Sequence, residues 1–378
     1  MGKIMVVTGE VSGDMHAAQV VKAIKEIAPD ITFYGMGSTF LKKEGVEILI
    51  DPGELSTIGF IEAFKNTRQH LANLRLLKKS VKERRPDLIL LVDNSGFNML
   101  LARAVSRLGV PVVNYFSPSA WVWGSWRAGW MAHYRATIAS VFPMEAEVYR
   151  RAGADVEFVG HPLLDMVRVN KEKEEICHEL ELSLDRPVIG LLPGSRRQEV
   201  EKLLPDMLEA AAELAKENKG YQFVLPLAEG IDRSFVARIA SRYSLVVKLV
   251  EGFSHEVMKV AAVLVTASGT ATLEAAIIGT PMLIVYRTSA STYWLATKLM
   301  KTDYVGLPNI VAGKEIVPEL IQQNLTADRM LFELKCLLES PFALREAREQ
   351  LAGVKQKLGS SGAVRRVAEL VLKKANLS

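Results

Sequence analysis

The 378-residue sequence predicts an α/β protein with two doubly wound, parallel-sheet domains. Three observations carry that prediction. Short apolar runs alternate with stretches of helical period, the pattern of parallel strands joined by crossover helices. The alternation starts again after the charged segment Val167–Arg186. The chain is also too long for one ordinary core and comfortable for two.

In chain order, the first set of strand candidates is Lys3–Thr8, Thr32–Tyr34, Val46–Ile50, Leu88–Val92, Val112–Phe116, Ala136–Phe142 and Val156–Val159. Helical patterns such as Ala17–Ile27 and Met99–Leu108 separate several of them. The second set is Val188–Leu192, Gln222–Leu225, Leu245–Leu249, Ala262–Thr266 and Met282–Tyr286, with helical patterns at Glu201–Lys216 and Phe235–Arg242. From about Thr326 the pattern is helical to the end. The expected division is residues 1–165 and 166–340 as two Rossmann-like domains, with a helical tail over 341–378 long enough to cross back to the first domain or to a second chain. In such folds the cleft between the domains is the default site.

Composition narrows the partners. Lys plus Arg number 47 and Asp plus Glu 43, and a net charge of +4 gives no argument for nucleic acid. A local basic patch facing anionic lipid is compatible with it. Cys177 and Cys336 form neither a disulfide framework nor a metal-ligand spacing, and the six histidines show none either. The apolar start, Ile4-Met-Val-Val7, is too short for a signal peptide, and no run reaches the ~18 apolar residues of a spanning helix. The expectation is a cytosolic protein, attached at most to a membrane surface.

The most informative stretch is Ser268-Gly-Thr-Ala-Thr-Leu-Glu274. It joins an apolar strand to an apolar helix, Ala271–Ile278, so the N–H groups of Ser268, Gly269 and Thr270 point at one spot where the helix dipole favours phosphate. Glu274 lies one turn beyond Thr270, where a carboxylate meets a sugar hydroxyl. A second loop of this kind, Leu191-Leu-Pro-Gly-Ser-Arg196, offers Gly194, Ser195 and an arginine able to pair bidentately with phosphate. Two phosphate-ready turns in one half of the chain point to a nucleotide diphosphate. A fixed cation at Arg196 stabilises the charge that grows as a diphosphate leaves. The chain has no Asp-x-Asp pair to hold a divalent ion, so no metal and no cofactor are expected; Arg196 and backbone N–H groups take over that neutralisation.

The first half supplies the other candidates. The turn after the first strand reads Gly9-Glu10-Val-Ser12-Gly-Asp14, with Ser12 expected as a helix N-cap. Asp93 ends a strand, the position of active groups in open α/β sheets, and reads either as a general base or as an N-cap. Four of the five tryptophans, Trp121, Trp123, Trp126 and Trp130, lie in one loop-like segment with Arg127. Tryptophan beside a basic residue suits a membrane interface or an acyl pocket, the alternative being plain core. The apolar stretch Leu55–Ile61, with Ile58 and Phe60, reads as a helix start or a second lip of that surface. His161 reads as a phosphate contact or as hinge packing.

Taken in order, Gly9-Glu-x-Ser-Gly-Asp14, Ser117-Pro-Ser-x-Trp-x-Trp123, Phe142-Pro-x-Glu145, Phe158-Val-Gly-His161, Leu192-Pro-Gly-Ser-Arg196, Ser268–Glu274, Lys301-Thr-Asp-Tyr304 and Leu307-Pro-Asn309 closely resemble the lipid-A-disaccharide synthases, glycosyltransferases of the GT-B fold. The resemblance runs from about residue 4 to residue 320. It implies an inverting transfer from UDP-2,3-diacylglucosamine to 2,3-diacylglucosamine 1-phosphate (lipid X), giving a β-1,6-linked disaccharide 1-phosphate and UDP. It also implies a metal-independent, peripheral enzyme on the cytoplasmic face of the inner membrane. On this resemblance Asp93 is the base, Arg196 binds the diphosphate, and Ser268, Gly269, Thr270 and Glu274 form the UDP site. Asn309, Glu10 and Ser12 become further substrate-binding positions.

Two positions depart from the family pattern. Ser38 stands where a glycine is usual, and Gly96 where many relatives have an acidic residue, which puts more weight on Asp93. Two other functions fit part of the sequence. Another UDP-sugar enzyme, an N-acetylglucosaminyltransferase or 2-epimerase, shares the phosphate turns but has no use for the tryptophan segment. A non-enzymatic lipid-binding protein uses the tryptophans but leaves Asp93 and Arg196 unexplained.

Overall fold

A computed structural model describes residues 2–52, 60–217, 220–300 and 302–377, without the side chains of residues 60–67, 291, 292, 295, 296 and 299. The chain divides into two compact units, residues 1–162 with 358–378, and residues 163–357.

The first unit runs β1 (Lys3–Val7), α1 (Val11–Ile27), β2 (Thr32–Met36), α2 (Thr39–Lys43), β3 (Glu47–Ile50), α3 (Phe60–Arg84), β4 (Leu88–Val92), α4 (Ser95–Val105), β5 (Val112–Tyr115), α5 (Trp126–His133), β6 (Ala136–Ser140), α6 (Pro143–Arg151) and β7 (Asp155–Phe158). Among the described residues its sheet has seven strands, all parallel, in the order β3-β2-β1-β4-β5-β6-β7. Sheets covered on both faces by helices bury their inner strands, which therefore read as unbroken apolar runs. Leu88-Ile-Leu-Leu-Val92 is such a run and is wholly buried. On α1, Ala17, Val20, Val21 and Ile24 recur at helical spacing and form its buried stripe.

The second unit runs α7 (Leu163–Met166), α8 (Lys173–Glu179), β8 (Val188–Leu192), α9 (Arg197–Glu217), β9 (Gln222–Leu227), α10 (Arg233–Ala240), β10 (Val247–Glu251), α11 (Ser254–Val260), β11 (Ala261–Ala267), α12 (Thr270–Ile278), β12 (Met282–Tyr286), α13 (Ala290–Leu299), α14 (Leu307–Ala312), β13 (Glu319–Ile321), α15 (Ala327–Leu338) and α16 (Pro341–Lys357). Among the described residues its sheet has six strands, parallel in the order β10-β9-β8-β11-β12-β13. Val200, Leu203, Leu204, Met207 and Leu208 of α9 pack with Leu191, Val263 and Val265 of the sheet in one core.

The final helix, α17 (Ala363–Ala375), returns to the first unit and packs on α1, β4 and β5. The structure therefore redraws the expected tail: α16 packs on α12 and α14 and stays with the second unit, and only residues from 358 onward cross back. Three other elements differ from expectation. β13 has only three residues, too few for a periodic signal. The tryptophan segment is partly helical, as α5. β10 lies two residues later than its apolar pattern suggested.

Each sheet reverses its winding once, between β1 and β4 in one and between β8 and β11 in the other. Outside the carboxyl ends of strands at such a reversal, the flanking helices diverge and leave a crevice.

Candidate active site

At the reversal in the second unit, two strand-to-helix turns meet. Gly194, after β8, has φ +114, a conformation that costs other residues, and a Cβ there would meet the Glu199 carboxylate at 2.5 Å. The turn folds over Glu199, whose Oε2 accepts from the N–H of Ser195 (3.1 Å) and of Arg196 (3.2 Å). Its Oε1 accepts from Nη1 of Arg196 at 2.8 Å. Glu199 thus occupies with a carboxylate the donors that the sequence assigns to phosphate, and holds the otherwise solvent-exposed Arg196 in place. The sequence reading missed this residue. Its signal was an acidic residue at the third position of α9, the reach-back half of a capping box.

The other turn follows β11. Ser268 N–H completes the strand on the Val285 carbonyl, and its hydroxyl donates to the Val305 carbonyl at 3.0 Å. Gly269 leads into α12, whose first N–H groups have no partner four residues back. Gly194, Ser195, Arg196, Ser268, Gly269, Thr270 and Glu274 all line one cavity of about 350 Å³ with Glu199, Pro226 and Met258. Backbone donors, a helix N-terminus and an arginine on one side, with a carboxylate one helical turn deeper, can hold a diphosphate and a sugar hydroxyl together. Among the described residues, no group of three or more His, Cys, Asp or Glu is arranged to hold a metal ion.

At the reversal in the first unit, Asp93 and Asn94 follow β4 with φ of +54 and +45. Left-handed backbone at two successive non-glycine residues costs on the order of 1–3 kcal/mol each and persists only where the surroundings impose it. Here the Asp93 N–H closes the sheet on the Tyr115 carbonyl at 3.1 Å, and the Asn98 amide donates to the Asp93 carbonyl. The carboxylate accepts from the Asn94 N–H at 2.9 Å and from the Ser12 hydroxyl at 3.1 Å. Gly13 lets α1 approach this closely: a Cβ there would fall 2.3 Å from Thr8 Oγ1 and 3.0 Å from Asp93 Cβ. His16, one turn beyond Ser12, stacks on Phe116 at 4.5 Å. Burial lowers its pKa while the Asp93 charge pulls the other way.

Two expected caps are therefore corrected. Ser12 is not an N-cap, because α1 begins at Val11 and Ser12 reaches across to Asp93. Asp93 is not one either, because Asn94 precedes α4. Glu10 is exposed and shares a hollow of about 320 Å³ with Gly9, Ser38 and Phe40. Asp14, by contrast, is buried and spends its carboxylate on the N–H groups of Ser38 and Phe40, both at 2.8 Å, which caps α2.

Other expected positions lie elsewhere. Asn309 is buried in the second unit with its amide fully used. Its Nδ2 donates to the Val317 carbonyl and the Glu319 carboxylate, and its Oδ1 accepts from the N–H groups of Ile316 and Val317. With its four amide bonds made inside the unit, it braces the segment from Gly306 to Glu319. His161 is buried with its ring against Phe142, and burial pushes its pKa down to about 3, so it is a neutral packing group and not a cationic phosphate contact. Glu145 is buried as well. It accepts from the Ser140 hydroxyl and the Val141 N–H, and burial pushes its pKa up to about 7.

Trp123, Trp126 and Trp130 are 44%, 54% and 44% exposed, the last two in edge contact, whereas Trp121 is half-buried on Phe142. Arg127 is not their charged surface neighbour. It is buried, lies 3.7 Å over the Trp123 ring and donates to the Trp123 carbonyl at 2.7 Å. Ile58, the side chain of Phe60 and Lys301 lie outside the described residues.

The chain matches the protein-family model described as lipid-A-disaccharide synthetase over residues 4–372. It belongs to the lipid-A-disaccharide synthase family. Relatives of that name from Geobacter sulfurreducens and Myxococcus xanthus are 40% and 39% identical, over 98% of this chain and 96% and 97% of theirs. Among solved structures, a putative UDP-N-acetylglucosamine 2-epimerase from Listeria monocytogenes superposes with a TM-score of 0.67 at 15% identity, covering 100% of this chain and 97% of that one. The UDP-GlcNAc 2-epimerase of Neisseria meningitidis, solved with UDP-GlcNAc bound, superposes with a TM-score of 0.65 at 15% identity, covering 98% and 100%. This chain is thus a GT-B glycosyltransferase of lipid A biosynthesis.

Proposed function

We propose that this glycosyltransferase condenses UDP-2,3-diacylglucosamine with 2,3-diacylglucosamine 1-phosphate (lipid X), with inversion, to give the β-1,6-linked disaccharide 1-phosphate and UDP. The observation that carries this reading is the convergence of Gly194, Ser195, Arg196, Ser268, Gly269, Thr270 and Glu274 on one cavity. The diphosphate lies on the two turns, with Arg196 exchanging Glu199 for phosphate oxygens. Glu274 takes a ribose hydroxyl. In the first unit Asp93 accepts the proton of the acceptor 6-hydroxyl as that oxygen attacks the anomeric carbon. The bond from that carbon to the UDP oxygen breaks, and the charge passes to the diphosphate. Ser12 fixes one Asp93 oxygen by hydrogen bonding, and the imposed backbone holds the carboxylate ready.

Both substrates carry acyl chains, and a membrane supplies them. No described helix is long and apolar enough to cross a membrane. Trp123, Trp126 and Trp130 present rings suited to its interface, on the cytoplasmic face of the inner membrane.

The test is a product assay with both acylated substrates, run beside plain UDP-N-acetylglucosamine. Disaccharide 1-phosphate with the β-linkage is expected from the acylated pair alone. Equal turnover of the unacylated nucleotide sugar would replace this reading with that of another UDP-sugar enzyme.

A further inference from the structure

His255 stands in the first turn of α11, after a bend at Gly252. Its Nε2 lies 3.4 Å from Oε2 of Glu274 on α12, and both side chains are largely covered. The pair forms a partition. Glu274 lines the phosphate cavity, while His255 lines a second hollow of about 690 Å³, and the two hollows share Ala228 and Ser254. The charged groups around the imidazole are one-sided. Glu274 acts on it from α12 and Glu256 from its own helix, while Glu251 at the end of β10 and Glu229 in the loop after β9 line the same hollow. Glu251 is shared with Arg233 of α10 at 3.4 Å. Lys259, one turn along α11, is turned away to the carbonyls of Val169 and Lys171. The hydrogen bond to Glu274, with the charges of Glu274 and Glu256, raises the His255 pKa against the opposing effect of burial.

We propose that His255 is a positioning residue that, as imidazolium, clamps one oxygen of Glu274 so that the other is presented to the ribose of the bound nucleotide. The inference rests on the cavity being the nucleotide site. A glutamate has three side-chain torsions to immobilise when it takes a hydroxyl. A clamp that fixes them beforehand removes that cost from binding, roughly 0.5–1.5 kcal/mol, or a 2- to 12-fold change in affinity. The clamp holds at low pH and loosens as pH rises through the raised imidazole pKa.

Calorimetric titration of the full-length chain with UDP at about pH 6 and about pH 8.5 tests this. The ionisation of UDP itself cancels in the ratio of variant to wild-type Kd. For His255→Ala that ratio is expected to be roughly 2- to 12-fold at the lower pH and near unity at the higher. His255→Gln, which keeps a neutral donor and guards against a folding defect, should fall between the two at the lower pH. In turnover, KM for the nucleotide sugar rises with kcat unchanged. In a Glu274→Gln background, His255→Ala should add no further loss. A ratio of one at both pH values, a ratio that does not change with pH, or full additivity with Glu274→Gln each overturns the clamp. Absence of UDP binding by the wild type would instead overturn the nucleotide reading of the cavity.

Discussion

The two units wind their sheets alike around one reversal, yet the crevices at those reversals carry opposite chemistry. The second unit offers positive groups: a helix N-terminus, the N–H groups of two turns, and Arg196. The Glu199 carboxylate serves as their counter-charge. The first unit offers a carboxylate, Asp93, on backbone that no helix or strand would choose. Topology fixes where a site can form, and the residues placed there fix its sign. Donors to phosphate come almost free at a helix start, so the second crevice is built with little strain. A lone carboxylate aimed away from its own strand has to be held, and the first crevice spends Ser12, Asn98, Gly13 and left-handed backbone on holding it.

Substitutions that separate the units test the contrast. Asp93→Asn should have the largest effect. Asparagine tolerates left-handed backbone and can keep the bonds to Ser12 and Asn94, so the change removes charge and basicity with the shape retained. Turnover is expected to fall on the order of 100- to 10,000-fold with UDP affinity unchanged. Retention of more than a few per cent of activity would remove Asp93 as base. Arg196→Ala is expected to lower kcat on the order of 100-fold and to weaken UDP as well, and Arg196→Lys should not restore a bidentate contact. Full activity in Arg196→Ala would leave the second crevice without its cation.

Glu145→Gln probes the first unit away from its crevice. The fold raises this carboxyl's pKa to about 7, so the folded state binds the extra proton. Wild-type stability is then fully present below about pH 4.5 and falls as pH rises through about 7. Glutamine keeps an acceptor for Ser140 and Val141 without titrating. It should raise stability at about pH 8 by up to about 3 kcal/mol and change little below the carboxylate range, as read by urea unfolding at the two pH values. An equal gain at both would remove burial as the cause. The smallest effect is expected at the surface. Trp126→Ala with Trp130→Ala should weaken binding to phospholipid vesicles by roughly tenfold and leave UDP affinity unaltered. Unchanged vesicle binding would return these rings to ordinary surface.

The difference between the crevices also decided what could be read from sequence. The two turns of the second crevice were legible as anion-ready because their chemistry is local. Pro193-Gly194-Ser195-Arg196 and Ser268-Gly269-Thr270 each follow a strand whose run of buried residues marks it plainly. Asp93 was legible as a strand-end residue, but its bond to Ser12 joins residues 81 apart and has no local signature. Asn309 looked like a substrate ligand because a polar residue in a quoted motif carries no mark of burial. Only the fold shows Ile316, Val317 and Glu319 consuming its amide. Arg127 was misjudged for the same reason, since its partners are the carbonyls of a turn that has to be folded before they can be counted.

The return of α17 to the first unit bears on how the chain is made. Its sheet is complete once residue 158 has been synthesised, but the helix that covers part of it is made some two hundred residues later. During synthesis the second unit is an insertion, while the buried stripe of α1 awaits α17. Leu377 lies beside Gly2, so close that a Cβ on Gly2 would lie 2.6 Å from it. Gly2 and Leu377 thus meet on one unit. A permutant that links Leu377 to Gly2 and opens the chain at the 162/163 boundary would produce each unit from a single uninterrupted stretch.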